Sequence, residues 1–179
     1  MNDYYDVSIK KYRLAEIEAL ASEKSDRKWV FIKGNIADKA LIEKIFTEYK
    51  PEIVVNLAAQ AGVRYSITNP DVYIEANIIG FYNILEACRN HPVKHLVYAS
   101  SSSVYGSNKK VTYSTDDKVD NPVSLYAATK KSMNCSHTPI PSCTIFHPRD
   151  CGFSRSTDLP ADPIWHISAL RTSSEEAVR

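Results

Sequence analysis

Two short apolar runs, Ile53-Val-Val-Asn-Leu-Ala58 and His95-Leu-Val-Tyr-Ala-Ser100, restrict the fold of this chain more than any other feature. The first is continuous and β-branched, the pattern of a strand buried on both faces. Between the two, Asn69-Pro70 opens a helical segment whose Ile74, Ile78, Phe81, Leu85 and Cys88 form an apolar stripe. Ahead of them, Trp29–Lys33 reads as a further strand closed by Gly34. Leu41, Ile42, Ile45, Phe46 and Tyr49 then line one face of a helix with Asp38 placed to cap it. The opening segment, Ser8 to Ser22, carries a weaker helical pattern in Tyr12, Leu14, Ile17 and Leu20. Strands alternating with helices at these spacings imply βαβ units, a parallel sheet and right-handed crossovers.

Composition narrows the function classes. A chain of 179 residues is enough for one domain and short for two. A net charge of +1 provides no field to recruit nucleic acid or an anionic membrane. No apolar run approaches the roughly 20 residues of a bilayer span, and the polar opening MNDYYDVSIKKYR has no signal-peptide pattern, so the expected location is cytoplasmic. The five glycines, at 34, 62, 80, 106 and 152, stand far apart, and no glycine-rich phosphate loop can be drawn from them. From Met133 onward the periodicity dissolves, and five of the nine prolines and three of the four cysteines fall there. Cys135, His137, Cys143, His147 and Cys151 offer soft ligands, but their spacing matches no common zinc module, and no metal is assigned.

Open parallel sheets bind ligands beyond the carboxyl ends of their strands. After the Ile53 strand comes Leu57-Ala-Ala-Gln60, small enough to admit a flat ligand to the backbone, or an ordinary strand end. After the His95 strand come four hydroxyls, Ser100 to Ser103, then Val-Tyr-Gly106. Downstream, Asn121-Pro122 precedes Tyr126-Ala-Ala-Thr-Lys130. On a helix, Tyr126 and Lys130 share a face, so the ammonium can lie beside the phenol. With a cationic nicotinamide nearby, that arrangement lowers the tyrosine pKa and makes Tyr126 a usable general base.

Taken together, YASSSSVYG, NPVSLYAATK and NLAAQAGVRYS resemble the extended short-chain dehydrogenase/reductase superfamily, the NAD-dependent nucleotide-sugar epimerases and dehydratases. The resemblance covers residues 1–132. NDYYDVS, QAGVRYS and YASSSSVYG are most similar to UDP-glucuronate 4-epimerases of polysaccharide biosynthesis. It implies an α/β doubly wound (Rossmann) domain and NAD as cofactor. It also implies a nucleotide-sugar substrate and homodimeric relatives.

In its terms Tyr126 is the base, Lys130 its pKa-tuner and ribose ligand, and Ser101 the hydroxyl at the sugar O4. Ser102 and Ser103 line the sugar site. Leu57, Ala58, Ala59 and Gln60 flank the cofactor, and Asn35-Ile36 sits at the adenine, where many relatives begin with Asp. Arg64 faces a carboxylate or phosphate of the substrate, or is a solvated surface arginine. Relatives that dehydrate carry Asp-Glu where this chain has Ser102-Ser103. Hydroxyls do not supply that acid and base, which favours epimerisation.

The resemblance also implies that residues 1–132 are a partial domain lacking its first βαβ unit and glycine-rich loop, so that NAD binding is weak or lost and the chain inactive. Residues 133–179 are expected to be an aberrant, irregular tail. With suitable synonymous codons, reading two nucleotides later from Met133 can spell the family's continuation, including Thr-Val-Tyr-Gly-Pro, as expected of a frameshift.

Overall fold

The computed structural model describes residues 4, 6–22, 29–110, 113–114, 116–136 and 143–146. Among them, β1 (Ile53–Asn56), β2 (His95–Ala99) and β3 (Cys143–Phe146) form one parallel sheet in that order. Ile53 stands opposite His95 and Asn56 opposite Tyr98, while Leu96 stands opposite Cys143 and Ala99 opposite Phe146. Parallel neighbours need crossovers, and helices supply them. This is the α/β architecture that the alternation of strands and helices predicts.

Helix α1 spans Val7–Ser22 and α2 spans Lys39–Tyr49. Asp38 caps α2 by accepting from the Leu41 N–H at 3.1 Å, and Lys50, left-handed at φ 44°, ends it. The inward face of α2 buries Ile42 and Phe46 against Val54, Ile84, Ala87, Cys88 and Leu96, which makes the main core. The amide of Asn83 donates to the Ile36 and Ala37 carbonyls at 3.0 and 2.9 Å and holds the turn before α2 in place.

After the short helix α3 (Tyr65–Thr68), one long helical segment runs from α4 (Asp71–Tyr73) through a π-helical stretch, Ile74–Ile79, into α5 (Gly80–Asn90). The wider π turn rotates the buried face. Phe81 and Cys88 are buried as the stripe predicts, but Ile74 is 41% exposed and Asn77 is fully buried in its place. A 3₁₀ turn, Ser102–Tyr105, follows β2, and α6 covers Leu125–Ser136.

Three further expectations are revised. Trp29–Lys33 pairs with no strand among the described residues, and Val30 and Phe31 are largely exposed. A strand persists only with a ladder partner, and the described sheet ends at β1. Among the described residues β1 is therefore an outer strand. Val54 and Asn56 are buried, but Ile53 is exposed, so the strand alternates rather than burying both faces. On α1, Tyr12, Ile17 and Leu20 face solvent, because its apolar residues are spread around the helix.

Order also extends beyond Ser132. Ala127, Lys130 and Met133 recur every third residue on the buried side of α6, and Met133 packs with Phe81 and Tyr98, carrying the helix to Ser136. With β3, this interrupts the irregular tail expected from Met133. Residues 137–142 and 147–179, with His137, His147 and Cys151, lie outside the described residues. No described helix is long and apolar enough to cross a membrane.

Candidate active site

The carboxyl ends of β1 and β2 and the first turns of α6 meet at one place. β2 ends at Ala99, and Ser101 is extended (φ −148°, ψ 144°), with its Oγ accepting from the Ser103 N–H at 3.2 Å to cap the 3₁₀ turn. The same hydroxyl donates to Ser103 Oγ at 3.1 Å. Opposite, Ser124 Oγ accepts from the Ala127 N–H at 3.0 Å and starts α6. Tyr126 and Lys130 then lie one turn apart on its inner side.

Lys130 is 2% exposed, and its Nζ donates to the Ala99 carbonyl at 2.9 Å, tying α6 to the end of β2. Burial lowers its pKa to about 8. The Ser101 hydroxyl lies close enough to the Tyr126 phenol to influence its ionisation. Ser101, Tyr126 and Lys130, predicted from two separate stretches, therefore converge.

Burial raises the Tyr126 pKa, and the neighbouring Ser101 hydroxyl opposes that rise. The lowering toward neutrality is expected with a cationic nicotinamide beside the pair; in the chain alone burial is the larger influence on the phenol, and the ammonium bonds the Ala99 carbonyl.

Two residues that the sequence reading missed hold the site together. Asn77, in the π-helical stretch, accepts from the Gln60 N–H at 2.7 Å and donates to the Gln60 carbonyl at 3.3 Å and to Thr129 Oγ1 at 3.0 Å. Thr129 in turn donates to the Tyr126 carbonyl at 2.8 Å. One buried amide thus links the end of β1 to the helix that carries Tyr126. Tyr73 donates to the Ala61 carbonyl at 2.8 Å and also reaches the Gly62 carbonyl. Its ring stands edge-on to Tyr126 at 6.1 Å between centroids, and burial pushes its own phenol up to about 12. The signal for Asn77 was a polar residue within an apolar stripe, but sequence periodicity does not reveal a π turn.

The remaining predicted residues frame this centre. Leu57, Ala58 and Ala59 are half-buried and Gln60 is buried at the carboxyl end of β1. Asn35 is exposed, bonds Glu75 at 2.8 Å and accepts from the Ala37 N–H at 3.0 Å, while Ile36 packs on the main core. Ser103 is half-buried and Ser102 exposed. Arg64 is exposed at the start of α3, beside Tyr65, whose ring is 6.3 Å from that of Tyr73. The described residues contain no group of three or more side chains suited to a metal ion.

The strand ends suit the close approach of a flat ring such as nicotinamide or adenine. Small half-buried residues follow β1, and two buried polar atoms nearby, Asn56 Nδ2 and Ser100 Oγ, have no partner among the described residues.

A parallel α/β sheet with serine, tyrosine and lysine gathered at its strand ends is the architecture of the Rossmann-type, NAD-dependent epimerases and dehydratases. Comparison with known proteins makes the assignment specific: the chain belongs to the family described as GDP-mannose 4,6 dehydratase, whose model matches residues 2–138. It is 52% identical over 132 residues to Protein CapI of Staphylococcus aureus, covering 74% of this chain and 37% of that protein. It is 50% identical over 133 residues to UDP-glucuronate 4-epimerase 3 of Arabidopsis thaliana, covering 73% of this chain and 29% of that one. The chain thus spans well under half the length of these relatives. Among solved structures, UDP-glucose 4-epimerase of Thermotoga maritima with UDP-glucose matches with a TM-score of 0.61 at 30% identity, over 67% of this chain and 41% of that one. The Brucella ovis UDP-glucose 4-epimerase in complex with NAD matches with a TM-score of 0.61 at 25% identity, over 68% and 38%.

Proposed function

We propose that Ser101, Tyr126 and Lys130 form the reaction centre of a UDP-glucuronate 4-epimerase, which interconverts UDP-glucuronate and UDP-galacturonate. The observation that carries this reading is the convergence of the three side chains, with the Ser101 hydroxyl beside the Tyr126 phenol and Lys130 anchored at Ala99. The 50% identity to an Arabidopsis UDP-glucuronate 4-epimerase supports the choice of sugar.

NAD, when bound, accepts a hydride from C4 and returns it. Tyr126 removes the O4 proton and gives it back after the sugar has turned. Ser101 holds O4, and its hydroxyl, turning from Ser103 to the phenol oxygen, favours the phenolate against the effect of burial. Lys130 bonds the cofactor ribose. Leu57–Gln60 flank the cofactor and Asn35-Ile36 its adenine. Ser103 and Ser102 border the sugar, and Arg64 meets its carboxylate or a phosphate. Because hydroxyls stand at 102 and 103, no acid–base pair is in place there for loss of water, which favours epimerisation over dehydration.

The 179-residue chain alone is proposed to be inactive, with residues 1–132 a partial domain and 133–179 a frameshifted tail. No cluster among its five glycines can cradle a pyrophosphate. The reading is tested in a chimera. Residues 2–132 replace the aligned 133-residue portion of the Arabidopsis UDP-glucuronate 4-epimerase 3, and the product is assayed for interconversion of the two uronate sugars. Interconversion supports the assignment. A folded chimera that binds NAD and converts neither sugar contradicts it.

A further inference from the structure

Gly106 closes the 3₁₀ turn that begins at Ser102, in a backbone conformation (φ 53°, ψ −120°) that L side chains rarely adopt. Its N–H bonds the Ser103 carbonyl at 3.1 Å. A Cβ at this position would lie 1.8 Å from the Asn121 carbonyl oxygen, 2.7 Å from its carbonyl carbon and 3.3 Å from Pro122 Cα. All three are backbone atoms, so no rotamer change relieves the contact. The two backbones touch here only because position 106 has no side chain.

Ser101 lies five residues before this contact and Tyr126 five residues after Asn121. The Gly106–Asn121 contact and the approach of Ser101 to Tyr126 therefore close the two ends of a single loop. We propose that Gly106 is a positioning residue: its close approach to the Asn121-Pro122 backbone sets the distance at which Ser101 meets Tyr126. The assignment of the reaction centre gives this contact its purpose, but the contact is read without turnover, so the two stand or fall separately.

The test uses the full chain labelled with 13Cζ-tyrosine, with Tyr126 identified among the 11 tyrosines by its loss in Tyr126→Phe. The Tyr126 resonance reports the phenol's surroundings at neutral pH and its ionisation as pH is raised. Around the phenol stand Ser101, the buried Tyr73 ring and, one turn along α6, Lys130, and all three are unchanged in Gly106→Ala. Ser101→Ala, which removes the hydroxyl beside Tyr126, calibrates the response, with the Tyr126 midpoint moving upward. Gly106→Ala is expected to reproduce most of that change while α6 keeps its amide pattern. Pro122→Gly adds no bulk and loosens the other side of the contact, so it serves if Gly106→Ala fails to fold. It is expected to move Tyr126 in the same direction by less. A folded Gly106→Ala, or in its absence Pro122→Gly, with the parent's Tyr126 resonance and midpoint overturns the proposal. So does a Ser101→Ala chain in which Tyr126 does not respond.

Discussion

Replacing Asn77 with alanine removes three hydrogen bonds made by one fully buried side chain. The largest loss is at the Gln60 N–H, which donates to Asn77 Oδ1 at 2.7 Å within a buried region. Leaving a buried donor unsatisfied costs about 1–3 kcal/mol. The bond to Thr129 Oγ1 at 3.0 Å contributes about 1 kcal/mol, and the 3.3 Å bond to the Gln60 carbonyl contributes less. The expected destabilisation is about 2–4 kcal/mol, a large share of a typical domain stability of about 5–15 kcal/mol. Urea unfolding gives the difference directly, provided the slope with denaturant is unchanged. Asn35→Ala is the control. It deletes two exposed bonds, to Glu75 and from the Ala37 N–H, whose groups water can then satisfy, and is expected to cost no more than about 1 kcal/mol. An Asn77→Ala protein as stable as the Asn35→Ala control would show that the buried link between β1 and α6 is energetically idle.

Lys130 has a pKa of about 8 in the folded chain, against about 10.4 for an unfolded lysine. Between those values the unfolded chain holds a proton that the folded chain has released. The parent's stability relative to Lys130→Met should therefore rise from about pH 8 to about pH 10.4, by up to about 3 kcal/mol, and be flat below pH 8. A difference that does not change with pH would place the amine in water. Isothermal calorimetry on the 179-residue chain should find no micromolar affinity for NAD. Pyrophosphate recognition by backbone N–H groups and a helix terminus supplies several kcal/mol, and no glycine cluster is present to form it. Tight binding by the isolated chain would contradict that account.

The parts of the fold that were legible in the sequence are those fixed by local periodicity. Asp38 with Ile42 and Phe46 announces α2, and the β-branched run at 53–56 and the run at 95–99 announce β1 and β2. The site residues were legible because each sits just past such an element or on a helix with i, i+4 spacing. The departures come from tertiary context. Trp29–Lys33 has strand composition, but a ladder needs a second strand. The π turn at 74–79 changes which residues face inward, so Asn77 replaces Ile74 in the interior. The spacing of four places a lysine near a phenol without saying which acceptor the ammonium takes. Here it takes the Ala99 carbonyl.

The most direct test of the central claim is the ratio of kcat values for the chimera carrying residues 2–132, with Tyr126 intact and as Tyr126→Phe, on UDP-glucuronate with NAD. The substitution keeps the aromatic ring and its edge contact with Tyr73 and removes the one group assigned to take the O4 proton. General-base catalysis contributes about 10²–10⁴ in rate, so kcat should fall by that factor with little change in stability. Near-equal turnover of the two proteins would mean that another group removes the proton and that Tyr126 is not the base.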